Sequence, residues 1–208
     1  MPPADHSPSS IAVTTVILAG GLGKRIGGDK GLQILHGKPL ISWVLAAVKQ
    51  GSAGILINAN SAAAAYTDFG YPVIADQLPD WPGPLAGLHA ALLSAKTDYV
   101  MTVPCDTPFL PVNLIARLQH ELLAQGAEAV VALTGGRRQP AIALYRHSVR
   151  PKLVAYLAGG GRKVNDWLDG LLLSELVFDN VGEFENINSQ EDLVLANLLP
   201  IKAECCIR

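Results

Sequence analysis

Val13-Thr14-Thr15-Val16-Ile17-Leu18-Ala19 runs directly into Gly20-Gly21-Leu22-Gly23-Lys24-Arg25-Ile26-Gly27-Gly28-Asp29-Lys30. The first part is a β-branched apolar run closed by glycines, the pattern of a strand buried on both faces of a parallel sheet. Four further runs read the same way: Gly54 to Asn60, Tyr71 to Ala75, Tyr99 to Pro104 and Ala127 to Leu133. Ala141 to Tyr145 reads as one more strand.

Between these runs the apolar period lengthens. Pro39 suits a first helical turn; Leu40, Trp43, Val44, Ala47 and Val48 then fall at i, i+3, i+4, i+7 and i+8, and Gly51 stops the run. Leu85 to Ala95 and Val112 to Gln125 read as helices on the same grounds. Alternating strands and helices predict a single-domain α/β fold: an open, doubly wound, Rossmann-like and mostly parallel sheet with helices on both faces. Such sheets bind ligands beyond the carboxyl ends of their strands, which is where the glycine loop stands.

The second half is less regular. A helix starting near His147 is broken by Gly159 to Gly161, and Leu171 to Phe178 reads as a strand with a position outside the main sheet open to it. Ser189 is suited to cap a last helix by accepting the amide of Glu191 or Asp192. Residues 1–10, with three prolines and three serines, read as a disordered leader, 11–199 as the folded domain and 200–208 as a tail.

Composition bounds the function. Of 208 residues, 50% are hydrophobic and 16% charged, which supplies a core and excludes a mainly disordered chain. A net charge of -2 gives nucleic acid and anionic lipid no global attraction, so any anion site is local. No run reaches the ~18 apolar residues of a membrane span, and Met1 to Ser10 lacks a signal peptide's basic start and apolar stretch, so the cytoplasm is the expected location. Cys105, Cys205 and Cys206 lack zinc-ligand spacing and are expected as reduced thiols. Neither H-E-x-x-H nor G-x-S-x-G occurs.

From Leu18 to Lys30, five glycines and three cations share thirteen positions. Glycines let backbone amides turn closely onto a phosphate chain, and Lys and Arg neutralise its charge. The dinucleotide fingerprint G-x-G-x-x-G fails at Ile26, and the P-loop pattern fails because Asp29, not Lys, follows Gly28.

The segment instead resembles the opening signature of nucleotidyltransferases that couple a nucleoside triphosphate to a phosphorylated acceptor: a strand, L-A-G-G, then R-[MI]-G-G and a nearby Lys. Further along, Gly37-Lys38-Pro39-Leu40, Asn58-Ala59-Asn60, Asp76, Pro82-Gly83-Pro84-Leu85-Ala86-Gly87 and Pro104-Cys105-Asp106-Thr107-Pro108 follow in an order similar to that of the molybdenum cofactor guanylyltransferases. The likeness runs from about Val13 to the helix after Ser189. Gly23 stands where many members of the wider superfamily carry Ser, and Ile26 where Met is frequent; neither change removes a charge or a ligand.

The resemblance implies a Mg²⁺-dependent transfer of GMP from GTP to the terminal phosphate of molybdopterin, with release of pyrophosphate. It assigns Arg25, Lys30 and Asp106 to catalysis and Leu18, Ala19, Gly20, Gly21, Lys30, Asn58, Asp76 and Asp106 to GTP. Arg137, Arg138, Gln139 and Pro140 are assigned to the acceptor. Asn186 and Asn188 could serve the acceptor or the metal, directly or through water. Asp106 closes a buried strand run and is the expected Mg²⁺ ligand, since this hard ion takes one or two carboxylates beside phosphate oxygens. Arg162 and Lys163 form a weaker second candidate for a phosphate contact, and Lys24 is expected to face solvent. A cytidylyl or sugar-phosphate transferase stays open as an alternative, as does, in a different class, a non-catalytic nucleotide sensor or cofactor chaperone. Transient contacts with the molybdenum insertion protein and with molybdoenzyme chaperones are expectations from the family.

Overall fold

A computed structural model describes residues 11–20, 29–61, 63–77, 83–198 and 200. The leader 1–10, most of the tail, and Gly21 to Gly28 of the glycine loop lie outside them. Strand β1 (Val13–Leu18) precedes a small hairpin of β2 (Ile34–Leu35) and β3 (Lys38–Pro39), then helix α1 (Leu40–Val48). Next come β4 (Gly54–Asn58), α2 (Ala63–Thr67), β5 (Val73–Ile74), α3 (Pro84–Ser94), β6 (Tyr99–Pro104) and α4 (Leu114–Ala124). The second half holds β7 (Ala129–Thr134), β8 (Arg137–Arg146), α5 (Arg150–Ala158), α6 (Val164–Leu168), β9 (Leu173–Phe178) and α7 (Gln190–Leu198).

The main sheet has the order β5-β4-β1-β6-β8-β7-β9. All its neighbours run parallel except β8, which is antiparallel to both β6 and β7. The chain winds outward from β1 to β4 and β5, then crosses back to β6 on the other side of β1. The direction of winding therefore reverses at β1, and the carboxyl ends of β1, β4 and β6 surround the crevice that this reversal opens.

Each central strand splits its apolar residues between two layers, as period-two alternation requires. Ile17, Ile57, Met101 and Val130 pack under α1 and α4, against Ile41, Val44, Leu118 and Leu122. Val16, Val100, Val131 and Tyr145 face the other way, against Leu88 and Leu92 of α3, Leu153 and Leu157 of α5, and Trp167 of α6. This two-sided burial is why the strands read as unbroken apolar runs. A third cluster joins Leu193 and Ala196 of α7 to Leu35, Leu40 and Trp43. Trp43 also donates its indole N–H to the Leu35 carbonyl at 3.1 Å, and His36 N–H donates to Asn197 Oδ1 at 2.8 Å. The first of these bonds braces the β2 end against α1, and the second ties the last turn of α7 to the β2–β3 hairpin. Among the described residues no helix is long and apolar enough to cross a membrane.

The structure refines the sequence reading in three places. Leu173–Phe178 lies inside the main sheet, paired parallel with β7 as its edge strand. The tract after β7 is not a loop through Pro140: Gly135 and Gly136, with φ of 54° and 72°, make a two-residue hairpin turn, and β8 starts at Arg137. Positive φ at both central positions is what such a tight hairpin demands. Finally, β8 carries an irregularity. Val131 faces Ala143 while the next residue, Ala132, faces Gln139, so Pro140, Ala141 and Ile142 are extra on that strand. Pro140 has no N–H to give a ladder. Pairing of β8 with β6 runs only from Arg146 to Ala143, so the ladder stops short of Val103 and of Pro104, which lines the cleft.

Candidate active site

The crevice at the strand ends has a volume of about 430 Å³, within the usual range for a small-molecule site. Leu18, Gly20, Lys30, Asn58, Asp76, Asp106, Asn186 and Asn188 all line it, which brings together most of the residues singled out in the sequence. Ala19 is buried beside it and donates its N–H to the Asn58 carbonyl at 2.8 Å, carrying the β1–β4 ladder one step further. Gly21 and Arg25 lie outside the described residues, as does Lys24.

Asp106 sits just past β6, where the Cys105 N–H donates to the Leu18 carbonyl at 3.1 Å and ties the end of β6 to that of β1. Its side chain is 7% exposed. Lys30 Nζ donates to Asp106 Oδ2 at 3.1 Å and to Asn188 Oδ1 at 2.7 Å. Lys30 is delivered from the far end of the glycine loop: Ser61 Oγ donates to Asp29 Oδ1 at 3.0 Å and anchors the loop's exit, and a short 3₁₀ turn over Lys30–Leu32 follows.

The segment Asn186-Ile187-Asn188 is held against Asp106 by the backbone. Ile187 N–H donates to the Asp106 carbonyl at 2.8 Å, and its side chain is buried in the α7 cluster. With Ile187 turned inward, alternation presents both asparagines to the cleft. Thr107, fully buried, donates its hydroxyl to Asn186 Oδ1 at 3.0 Å. Asp192 fixes the other flank, accepting the N–H groups of Asn188 and Ser189 at 2.9 and 3.0 Å, while Ser189 Oγ accepts the Asp192 N–H at 3.1 Å. This is a reciprocal capping box with Asp in the usual Glu position. The hydrogen bond donated by the Asn188 backbone N–H is the main cause holding the Asp192 carboxyl below the ordinary carboxylate range. Stability from this cap is therefore present above the unfolded carboxyl's pKa and lost as pH falls through the depressed folded value. Asp192→Ala is expected to cost about 1 kcal/mol of stability, measured by denaturant unfolding, and to flatten the acid limb of the stability–pH curve between the two values.

On the opposite side, Asp76 accepts Asn58 Nδ2 on Oδ1 at 2.9 Å and Asn60 Nδ2 on Oδ2 at 2.7 Å. Asn60, which also lines the cleft, was not singled out in the sequence as a site residue. The signal was its place two residues after Asn58, on the same side of an extended chain with buried Ala59 between. The closing glycine of the Pro82 to Gly87 motif has a steric reason. A Cβ on Gly87 would stand 2.6 Å from Asn58 Oδ1 and 2.7 Å from Leu18 Cδ2, so only glycine lets α3 lie this close to the cleft wall.

Cys105 lines the cleft too, but burial, and then the neighbouring Asp106 charge, push its thiol well above the usual range. It is a neutral wall residue, not a nucleophile. Arg137, Gln139 and Pro140 are absent from the lining, where β8 contributes Ala141 of its irregularity. Gln139 donates to Thr134 Oγ1 at 2.8 Å, and Arg137 is exposed beside the hairpin turn. Arg138 is engaged away from the cleft, with Nη1 2.5 Å from Asp169 and Nε 2.6 Å from Glu175. Arg162 donates to the Leu157 and Gly161 carbonyls at the end of α5, and Lys163 lies 4.0 Å from Asp166.

Comparison with known proteins agrees with this fold. The family model for the MobA-like NTP transferase domain matches residues 15–171. A molybdenum cofactor guanylyltransferase of Cupriavidus taiwanensis is 46% identical over 187 residues, covering 87% of this chain and 94% of that protein. One from Shewanella putrefaciens is 41% identical, covering 86% and 93%. Among solved structures, molybdopterin-guanine dinucleotide biosynthesis protein A from Archaeoglobus fulgidus aligns with a TM-score of 0.76 at 27% identity, covering 89% of this chain and 97% of that one.

Proposed function

Because the chain belongs to the MobA-like NTP transferase family, we propose that it moves GMP from GTP to the terminal phosphate of molybdopterin, forming the guanine dinucleotide and releasing pyrophosphate. The observation that carries this reading is the meeting of Lys30, Asp106 and Asn188 at the winding reversal of the sheet.

In this reaction an oxygen of the acceptor phosphate attacks the α-phosphorus, a new P–O bond forms, and the bond to the bridging oxygen of the β-phosphate breaks. No side-chain base is needed, because a phosphate monoester ionises a second time near pH 6. The protein's task is to align two anions and screen their repulsion. Lys30 donates toward the triphosphate, and Arg25 is assigned to the same role.

The donor set also fits Mg²⁺. Asp106 offers a carboxylate, and Asn186 and Asn188 offer amide oxygens, the hard ligands this ion prefers beside phosphate oxygens and water. Bound there, Mg²⁺ would neutralise charge on the triphosphate. Lys30 meanwhile occupies oxygens of Asp106 and Asn188 with its own positive charge. We assign the protein to the cytoplasm, the location expected from its sequence.

Thermal unfolding tests the nucleotide. GTP with Mg²⁺ at 100 times its dissociation constant is expected to add about 2.7 kcal/mol of stability, and CTP at the same concentration much less. Equal shifts would refute guanine preference. For the acceptor, Arg137→Ala and Gln139→Ala are expected to reduce turnover at limiting molybdopterin while GTP binding stays unchanged. Steady-state kinetics in each substrate, with calorimetric GTP binding, checks this division. Weakened GTP binding with unchanged acceptor dependence would remove both residues from the acceptor side.

A further inference from the structure

Asn58 and Asn60 both end on one carboxylate, and their geometry is not equivalent. Asn58 makes a single side-chain contact with Asp76, through Nδ2 to Oδ1 at 2.9 Å, and turns the same amide toward the Ile74 carbonyl at 3.4 Å. Asn60 grips Asp76 twice: its Nδ2 donates to Oδ2 at 2.7 Å, and its Oδ1 accepts the Asp76 backbone N–H at 2.9 Å. That closed ring holds the side chain and the main chain of Asp76 on one Asn60 amide and fixes the plane of the carboxylate. Each carboxylate oxygen takes only one of these amides and has lone-pair capacity to spare. Asp76 lines the cleft, so that spare capacity is available to a ligand.

A rigid carboxylate with both oxygens available accepts two parallel N–H donors. Guanine presents such a pair, N1–H and the 2-amino group, on one edge, whereas cytosine presents acceptors beside its single amino group. Position along the sheet agrees. Asp106 and Lys30 stand at the β6 and β1 end of the cleft, and Asp76 follows β5, three strand spacings from β6 in the order β5-β4-β1-β6, or about 14 Å. A nucleotide with its phosphates at Lys30 and Asp106 and lying across the strand ends brings its base toward Asp76.

We propose that Asn60 is a positioning residue for base selection: by locking the Asp76 carboxylate at both its side chain and its backbone, it aims the two oxygens at the N1–H and 2-amino donors of guanine. This rests on the guanylyltransferase reading of the site. Asn60 need not touch the nucleotide, and it contributes through the orientation of Asp76.

The test compares GTP with ITP, which has the same sugar, triphosphate and N1–H but lacks the 2-amino group. Calorimetric dissociation constants with Mg²⁺ present would be measured for the wild type, Asn60→Ala and Asn60→Asp. Asn60 is exposed, so both variants should fold, with circular dichroism as the control. Asn60→Asp keeps an acceptor for the Asp76 N–H but sets a second carboxylate against Oδ2. The wild type is expected to prefer GTP over ITP by roughly 10–100-fold, the worth of one hydrogen bond to a charged group. In both variants that ratio should fall toward one, with most of the loss on GTP. An unchanged ratio, with both nucleotides weakened equally, would make Asn60 a structural residue and overturn the proposal. Equal binding of GTP and ITP by the wild type would overturn it as well, while leaving the triphosphate site standing. Absence of binding by either nucleotide would overturn the site reading and this inference together.

Discussion

Asp106→Asn is expected to give a folded protein whose activity falls by roughly 10²-fold or more at ordinary Mg²⁺ and returns in part as the metal is raised. Asparagine keeps the size of the side chain and an oxygen for Lys30, but it removes the only charge that Asp106 can offer a hard cation. Folding should survive, because the backbone of Asp106 continues to accept Ile187 N–H and Lys30, with a quarter of its side chain exposed, can turn to water. Initial rates over a Mg²⁺ titration, with circular dichroism beside them, give the answer. A folded Asp106→Asn enzyme whose metal dependence matches the wild type would remove Asp106 from the metal site.

Lys30→Ala should fail in a different way. The carboxylate and both asparagine oxygens stay in place, so the midpoint of the Mg²⁺ titration with nucleotide present should move little. What is lost is a positive charge beside the leaving pyrophosphate, worth roughly 10²–10³-fold in kcat for one such donor. If GTP affinity alone falls and kcat holds, Lys30 binds the ground state and the transition state equally, and its catalytic assignment goes.

Much of this site was legible because its residues stand at the ends of unmistakable strands. Tyr99–Pro104 was read with its bounds intact, since its central residues are buried on both faces and no charged residue interrupts the pattern before Asp106. Asp106 followed from that placement, Lys30 from its place in the glycine loop, and Asn58 and Asp76 from their likeness to a family. The start of β8 was not legible: Arg137-Arg138-Gln139-Pro140 has the composition of a loop, and only pairing with β7 makes it a strand. Arg138 looked available for a phosphate because its partners, Asp169 and Glu175, lie 31 and 37 residues away in the chain. An ion pair of that separation leaves no local pattern. The same limit applied to β9, whose Ser174 and Glu175 suit an edge but do not say which sheet it borders.

The two edges of the sheet bear on a different property, the tendency of the chain to stick to itself. An open edge offers unpaired backbone groups to any passing strand and is a route to aggregation. At one edge β5 is only two residues long, Val73–Ile74, too little to template an added strand. At the other, β9 spans six residues and exposes Val177 by 54%, so it is the vulnerable side. There Arg117 reaches from α4, donates to the Val177 carbonyl at 2.9 Å and lays its guanidinium 3.9 Å from the centre of the Phe178 ring. One long charged side chain thus occupies a backbone acceptor and sets a cation at the end of the strand, which makes β9 a poor surface for recruiting another copy.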